Sequence, residues 1–172
     1  IWIGRLPGLQ ENEKPSVNRK KRVKDDYDIS FFPEGGYLLQ ETLCKVAFKA
    51  LNKNGHPEYI SGKIVDDGGM LITYTETLHS GMGLFAIIPQ NGKKYYLECQ
   101  NQNQVIQRFE IPAVKTNAYS IFAGRNTKAT FLEPKKAINS PASPFYLLVH
   151  SRCHLVHFSS WDKIHNPIAF LE

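Results

Sequence analysis

The stretch FFPEGGYLLQETLCKVAFKALNKNG, residues 31–55, decides the fold. From Cys44 onward its apolar residues alternate. Cys44, Val46, Phe48 and Ala50 share one face, and Lys45 and Lys49 lie on the other. Successive strand side chains point to opposite faces, so this alternation predicts a half-buried antiparallel strand. Gly35-Gly36 supplies residues that adopt positive φ at a sharp reversal. Pro33 has no N–H to donate to a ladder, which places it on an edge strand. Asn54-Gly55 is a tight-turn signal. The stretch therefore reads as the opening hairpin of a sheet whose core face is already marked.

The same period runs outward from it. YISGKIV puts Ile60, Gly62 and Ile64 on one side, and DDGG (Asp66 to Gly69) is a hairpin turn. LITYTETL is rich in strand-favouring Thr, Ile and Tyr. HSGMG breaks the chain, with Met82 expected to lean inward between its two glycines and Phe85 and Ile87 pointing into the core. LFAIIP and KKYYLEC are two further strands joined through Asn91-Gly92. Turn signals recur about every 8–15 residues, the rhythm of an all-β sandwich. Residues 101–115, NQNQVIQRFEIPAVK, begin polar and contain Pro112, and are read in part as a connector to a second β unit. That unit holds AYSIFAG, KATFLE, FYLLVHS, CHLVHFSS and NPIAFLE. FYLLVH, apolar on both faces, is expected to be a central strand, and EPKKAINSPASP a long surface loop. Five strands fall short of the roughly seven of a closed sandwich, so the second unit is expected to be incomplete.

With 172 residues, 42% of them hydrophobic, the chain has the material for a core. No apolar run approaches the roughly 20 residues of a membrane helix, so no membrane insertion is expected. The net charge of +5 is concentrated. Lys14, Arg19, Lys20, Lys21, Arg22 and Lys24 supply six of the 21 basic residues, leaving fifteen against 16 acidic ones elsewhere. No base-stacking aromatics interleave with this run. It is read as a solvated linker, not a nucleic-acid patch. The expected organisation is an N-terminal segment and linker over residues 1–26, a first sandwich over 27–111 and a partial second unit over 112–172. The three cysteines, Cys44, Cys99 and Cys153, are too few and odd in number for a disulfide framework. Cys44 and Cys99 both fall on apolar faces, as buried free thiols or as a single bridge.

FFPEGG, VAFKA (Val46 to Ala50), GMG with Phe85 two residues later, and GKKYY (Gly92 to Tyr96) together resemble a repeated module of large envelope proteins of Bacteroidetes-type bacteria. Those proteins carry macroglobulin-like β-sandwich domains related to the alpha-2-macroglobulin family, and some carry a TonB-receptor plug-like domain. PFYLLVHSR and WDK resemble the following domain, so the resemblance covers about Tyr27 to Glu172. It implies tandem antiparallel, immunoglobulin-like (macroglobulin-like) β-sandwiches, the second incomplete. It also implies a cell-envelope location, periplasmic or outer-membrane associated. The Gly-Cys-Gly-Glu-Gln thioester of complete macroglobulins is missing from the sequence.

The residues themselves propose little chemistry, and no cofactor is expected. His150, Cys153, His154 and His157 crowd into HSRCHLVH. The odd separation of His154 and His157 sends them to opposite strand faces, so they are read as strand and turn residues, not metal ligands. Ser80 beside His79 has no orienting acid in sequence and is not read as a nucleophile with its base. Aromatic residues are the binding candidates. Tyr95 is assigned to the core. Tyr96, facing the other way, and Trp161 are the candidate ligand or partner contacts, with Trp2 a further aromatic candidate. The chain is thus expected to be a non-enzymatic structural or interaction module that engages flanking domains or other envelope proteins. The alternatives are a carbohydrate- or peptide-binding module of an outer-membrane uptake system and a fragment of a protease-trapping macroglobulin.

Overall fold

The computed structural model describes residues 27–127, 129–141, 144–161 and 168–171, and the basic run and Trp2 lie outside them. No α-helix occurs among the described residues. No helix there is long and apolar enough to cross a membrane. The strands are β1 (Tyr27–Pro33), β2 (Leu38–Leu39), β3 (Cys44–Asn52), β4 (Ile60–Asp66), β5 (Leu71–His79), β6 (Met82–Ile87) and β7 (Tyr95–Asn101). They continue with β8 (Ile106–Glu110), β9 (Val114–Lys115), β10 (Tyr119–Arg125), β11 (Ala129–Lys136), β12 (Phe145–Ser151), β13 (His154–Trp161) and β14 (Ile168–Leu171).

Seven strands form one antiparallel sheet in the order β1-β3-β6-β5-β4-β7-β8. Its hinge is β5. Leu71 to Glu76 pair with β4, while only Thr77 and His79, with a register shift between them, pair with β6. Beyond that hinge β4, β7 and β8 turn back to face β1, β3 and β6, as two sandwich layers do. The layers share one core. Ile29, Val46, Phe48, Ala50, Phe85 and Ile87 come from one, and Ile60, Ile64, Tyr95, Leu97 and Cys99 from the other. Phe48 is 1% exposed, and burying such a side chain contributes about 2–3 kcal/mol. Its ring lies where a Cβ on Gly83 would stand, 2.2 Å from Cζ. That contact explains GMG differently from the sequence: Gly81 and Gly83 are buried, and Met82 between them is 45% exposed.

The two outer edges close on each other through Tyr27. Its hydroxyl donates to the carbonyl of Cys99 at 3.0 Å and lies 3.2 Å from that of Val105. Its ring meets Phe109 at 5.6 Å. The Cys99 sulfur is 3.5 Å from the same hydroxyl. Cys44 and Cys99 are free thiols, and burial pushes both up from the ordinary thiol range. A neutral thiol suits each place. The Cys44 sulfur accepts the Leu39 N–H at 3.3 Å.

Four sequence expectations shift. Ile106–Glu110, inside the expected connector, is edge strand β8, paired with β7. Its alternating exposure, with one side wet, makes its sequence polar. β11 runs on through Pro134 and Lys136, so the expected loop starts later, at Ala137. Proline fits there because, among the described residues, β14 pairs only with Ala129 to Leu132, leaving β10 as the single described partner at Pro134. β12 is not central: among the described residues it pairs with β13 alone, and Tyr146, Leu148, Leu155 and Phe158 are all more than half exposed. Finally, β2 and β9 pair parallel, Leu38 with Val114 and Leu39 with Lys115.

That parallel pair sits at a junction between the large sheet and the strands after it. Leu38, Leu39, Ile111 and Ala137 belong to the same buried cluster as the sheet core. A 3-10 turn, Glu34–Gly36, packs on β10: the Ser120 hydroxyl donates to the Glu34 carbonyl at 2.9 Å. The Phe122 ring carries Lys45 at 4.4 Å and Lys135 at 4.6 Å. Gly35 has φ +73°, and a Cβ there would stand 1.9 Å from Ser120 Oγ and 2.7 Å from the Ile121 nitrogen. Gly35→Ala therefore meets both a backbone penalty of about 1–2 kcal/mol and a backbone clash. Wild type is expected to unfold in urea in one transition read alike by far-UV circular dichroism and tyrosine fluorescence. Gly35→Ala should lower the midpoint and separate the two probes. An unchanged, coincident transition would show that the turn does not couple the units.

A second anchor holds the β4–β5 turn. Asp66 is 2% exposed; its carboxylate accepts the Met70 N–H at 2.8 Å and the Lys93 ammonium at 2.7 Å. The hydrogen bond from Lys93, with that from Met70, holds the Asp66 carboxyl below the usual carboxylate range. The same bond raises the Lys93 ammonium above its ordinary value. The depressed acid stabilises the fold above the ordinary carboxylate value and loses this as pH falls through its lowered native value. The raised base contributes below the ordinary lysine value and loses this as pH rises through its raised one. Asp66→Asn keeps an acceptor for Met70 and removes the ion pair. Its urea midpoint should lie below wild type by a constant amount from about pH 5 to about pH 9. The gap should close on acidification. A gap that persists at low pH would assign the effect to packing.

Candidate functional site

The face of β4, β5, β7 and β8 that points away from the core is built by the same alternation that builds the core. Ile60, Ile64, Leu97 and Cys99 turn inward. Their strand neighbours Ser61, Lys63, Glu98 and Gln100 must turn outward. Register then aligns these residues in rows across the sheet. Glu76, Ser61, Gln100 and Ile106 form one row, and Tyr74, Lys63, Glu98 and Arg108 the next. In the second row Glu98 receives Lys63 at 3.3 Å and Arg108 at 3.7 Å. These partners are half exposed, and such pairs contribute about 0–1 kcal/mol each. Their effect is to hold side chains in place, with one carboxylate shared between two cations.

Between the rows lies an open groove of about 640 Å³, walled by Tyr74 and Glu76 on one side and Gln100 and Ile106 on the other. A second depression of about 380 Å³ shares Ser61, Glu76 and Gln100 with it and extends to Tyr59, Gln102 and Gln104. The two form one trough running along β4. Tyr74, 72% exposed, stands near one end and Tyr59, 48% exposed, at the other. Tyr74 is level with Lys63, four residues along β4 from Tyr59, so the strand rise separates the two levels by roughly 13 Å. The far end is shaped by Asn101, whose side chain accepts the amides of Asn103 and Val105 at 3.1 and 2.9 Å. That turn carries Gln104 at φ +60°.

Of the residues proposed from sequence, Tyr96 is on this outer face but half buried. The Arg108 guanidinium lies 3.9 Å from its ring centre, covering one side. Trp161 ends β13 opposite Phe145, in a different sheet, and its side chain lies outside the described residues. The structure does not bring Tyr96 and Trp161 into one sheet. Tyr95 is in the core at 3% exposure, and its hydroxyl accepts the Gln90 N–H. Sequence reasoning passed over Tyr74, Tyr59 and Gln100. The alternation in LITYTETL places Tyr74 and Glu76 on one face, but only register reveals what stands beside them.

Among the described residues no group of three His, Cys, Asp or Glu side chains converges to hold a metal ion. His157 and Ser159, two apart on β13, share a hydrogen bond of 2.9 Å. The neighbouring Ser80 and His79 side chains meet at 3.0 Å. Among the described residues no carboxylate hydrogen-bonds that imidazole. What the trough offers is hydrogen-bonding side chains and exposed tyrosine rings, a means of holding a ligand. No protein-family model matches the chain, and no curated protein matches it either.

Proposed function

We propose that the chain is a non-enzymatic structural and interaction module of a multidomain protein of the bacterial cell envelope. In this reading it comprises tandem immunoglobulin-like, macroglobulin-like sandwich units, residues 27–111 and 112–172, that space and present flanking domains or dock other envelope proteins. The observation that carries it is the junction. A spacer must transmit orientation, and here one buried cluster runs from Phe48 through Leu38 and Leu39 to Ile111 and Ala137. Backbone pairing of β2 with β9 and the Glu34–Ser120 hydrogen bond fix the same joint. Inter-domain contacts that are apolar and hydrogen-bonded restrict the relative motion that is otherwise the default.

A second reading, a carbohydrate- or peptide-binding module, is favoured by the trough between Tyr59 and Tyr74. The two readings are compatible on one chain, because the junction and the trough use different faces. Nitrogen-15 relaxation tests the first. Amides in residues 27–110 and in residues 114–151 should report one shared rotational correlation time. Two distinct times would mean a flexible joint and would remove the spacer reading.

A further inference from the structure

We infer that the trough on the outer face of β5, β4, β7 and β8 binds a neutral oligosaccharide, with Tyr74 and Tyr59 as its two stacking platforms. The inference rests on the second reading above and specifies its ligand and residues. The argument begins with which groups are free to bind. On a sheet face the backbone N–H and C=O groups are already spent in ladders, so only side chains can make contacts. A peptide that adds as a strand needs an unpaired edge and gains nothing from this face. The side chains present are two exposed phenol rings at the ends and Ser61, Glu76 and Gln100 between them.

That combination matches the two surfaces of a sugar ring. One surface is a patch of C–H groups with slight positive charge, attracted to the negative face of an aromatic quadrupole. The other is a rim of hydroxyls, each both donor and acceptor. The Ser61 hydroxyl and the Gln100 amide each donate and accept, while the Glu76 carboxylate accepts from hydroxyls. Charge narrows the class. Lys63 and Arg108 lie beside Glu98 at 3.3 and 3.7 Å, and Glu76 has no ion-pair partner among the described residues, so two cations and two anions sum to zero. A polyanion, whether nucleic acid or an acidic glycan, would find no net positive charge to draw it in.

The test is a glycan array carrying neutral and acidic oligosaccharides, probed with the full chain and followed by calorimetry on the best neutral glycan. Wild type should bind a neutral oligosaccharide of several units. Tyr74→Ala and Tyr59→Ala should each weaken it about tenfold or more. Tyr146→Ala, on the exposed hairpin β12–β13, should leave affinity unchanged. Tyr74 is 72% exposed, so its substitution does not threaten the fold, and circular dichroism checks this. Binding that survives both tyrosine substitutions, binding to acidic glycans alone, or no binding to any neutral glycan would overturn the inference. The outcome is separable from that of the spacer reading. Glycan binding with independent tumbling sinks the spacer alone, and shared tumbling without glycan binding sinks the trough alone.

Discussion

The hydroxyl of Tyr27 closes the molecule. A seven-stranded sheet with free edges exposes unpaired backbone at each side and an apolar face between. Here the first strand carries a tyrosine whose ring enters the shared core and whose oxygen reaches the Cys99 and Val105 carbonyls. That contact joins residues 72 and 78 positions apart in sequence. It sets β1 over β7 and β8. The fold of the sheet about β5 then follows, because the far half can bury Ile64 and Leu97 only by facing Val46 and Phe48.

Closure in this manner determines what the other surfaces do. The inner faces are committed to the core, and β5 is committed to bridging the layers. The outer faces remain, and on that of β4, β5, β7 and β8 the polar alternates fall into rows. At the other end the core does not stop at the sheet but continues beneath Leu38 and Leu39 to Ala137. One apolar cluster thus underlies both the proposed spacer, through its junction, and the proposed ligand trough, through the register it imposes.

Much of this was legible in the sequence, and the limits have physical causes. The inward set Cys44, Val46, Phe48 and Ala50 could be read directly, since period two needs no knowledge of neighbours. The burial of Phe85, Ile87 and Tyr95 followed in the same way. Strand order did not, because it depends on which distant strands pair, and nothing local in LITYTETL marks β5 as the hinge. Edge strand β8 was hidden by its own wet face. FYLLVH looked central because apolar residues on both faces usually mean burial, yet β12 leaves Tyr146 and Leu148 exposed. Among site residues, Tyr96 was recognisable as outward-facing, but the Arg108 ring contact that covers it comes only from register. Tyr74 and Tyr59 were missed because a lone tyrosine in a strand carries no sign of what lies across from it.

The central claim is that Tyr27 closes the sheet, and native-state hydrogen exchange on Tyr27→Phe addresses it most directly. The variant keeps the ring against Phe109 and removes only the hydroxyl. The account predicts a loss of about 0.5–1.5 kcal/mol in the opening free energy of amides in β1, β7 and β8. Protection in β3 and β6 should change less. Unchanged protection in β1 and β8, or a uniform loss across all seven strands, would contradict it.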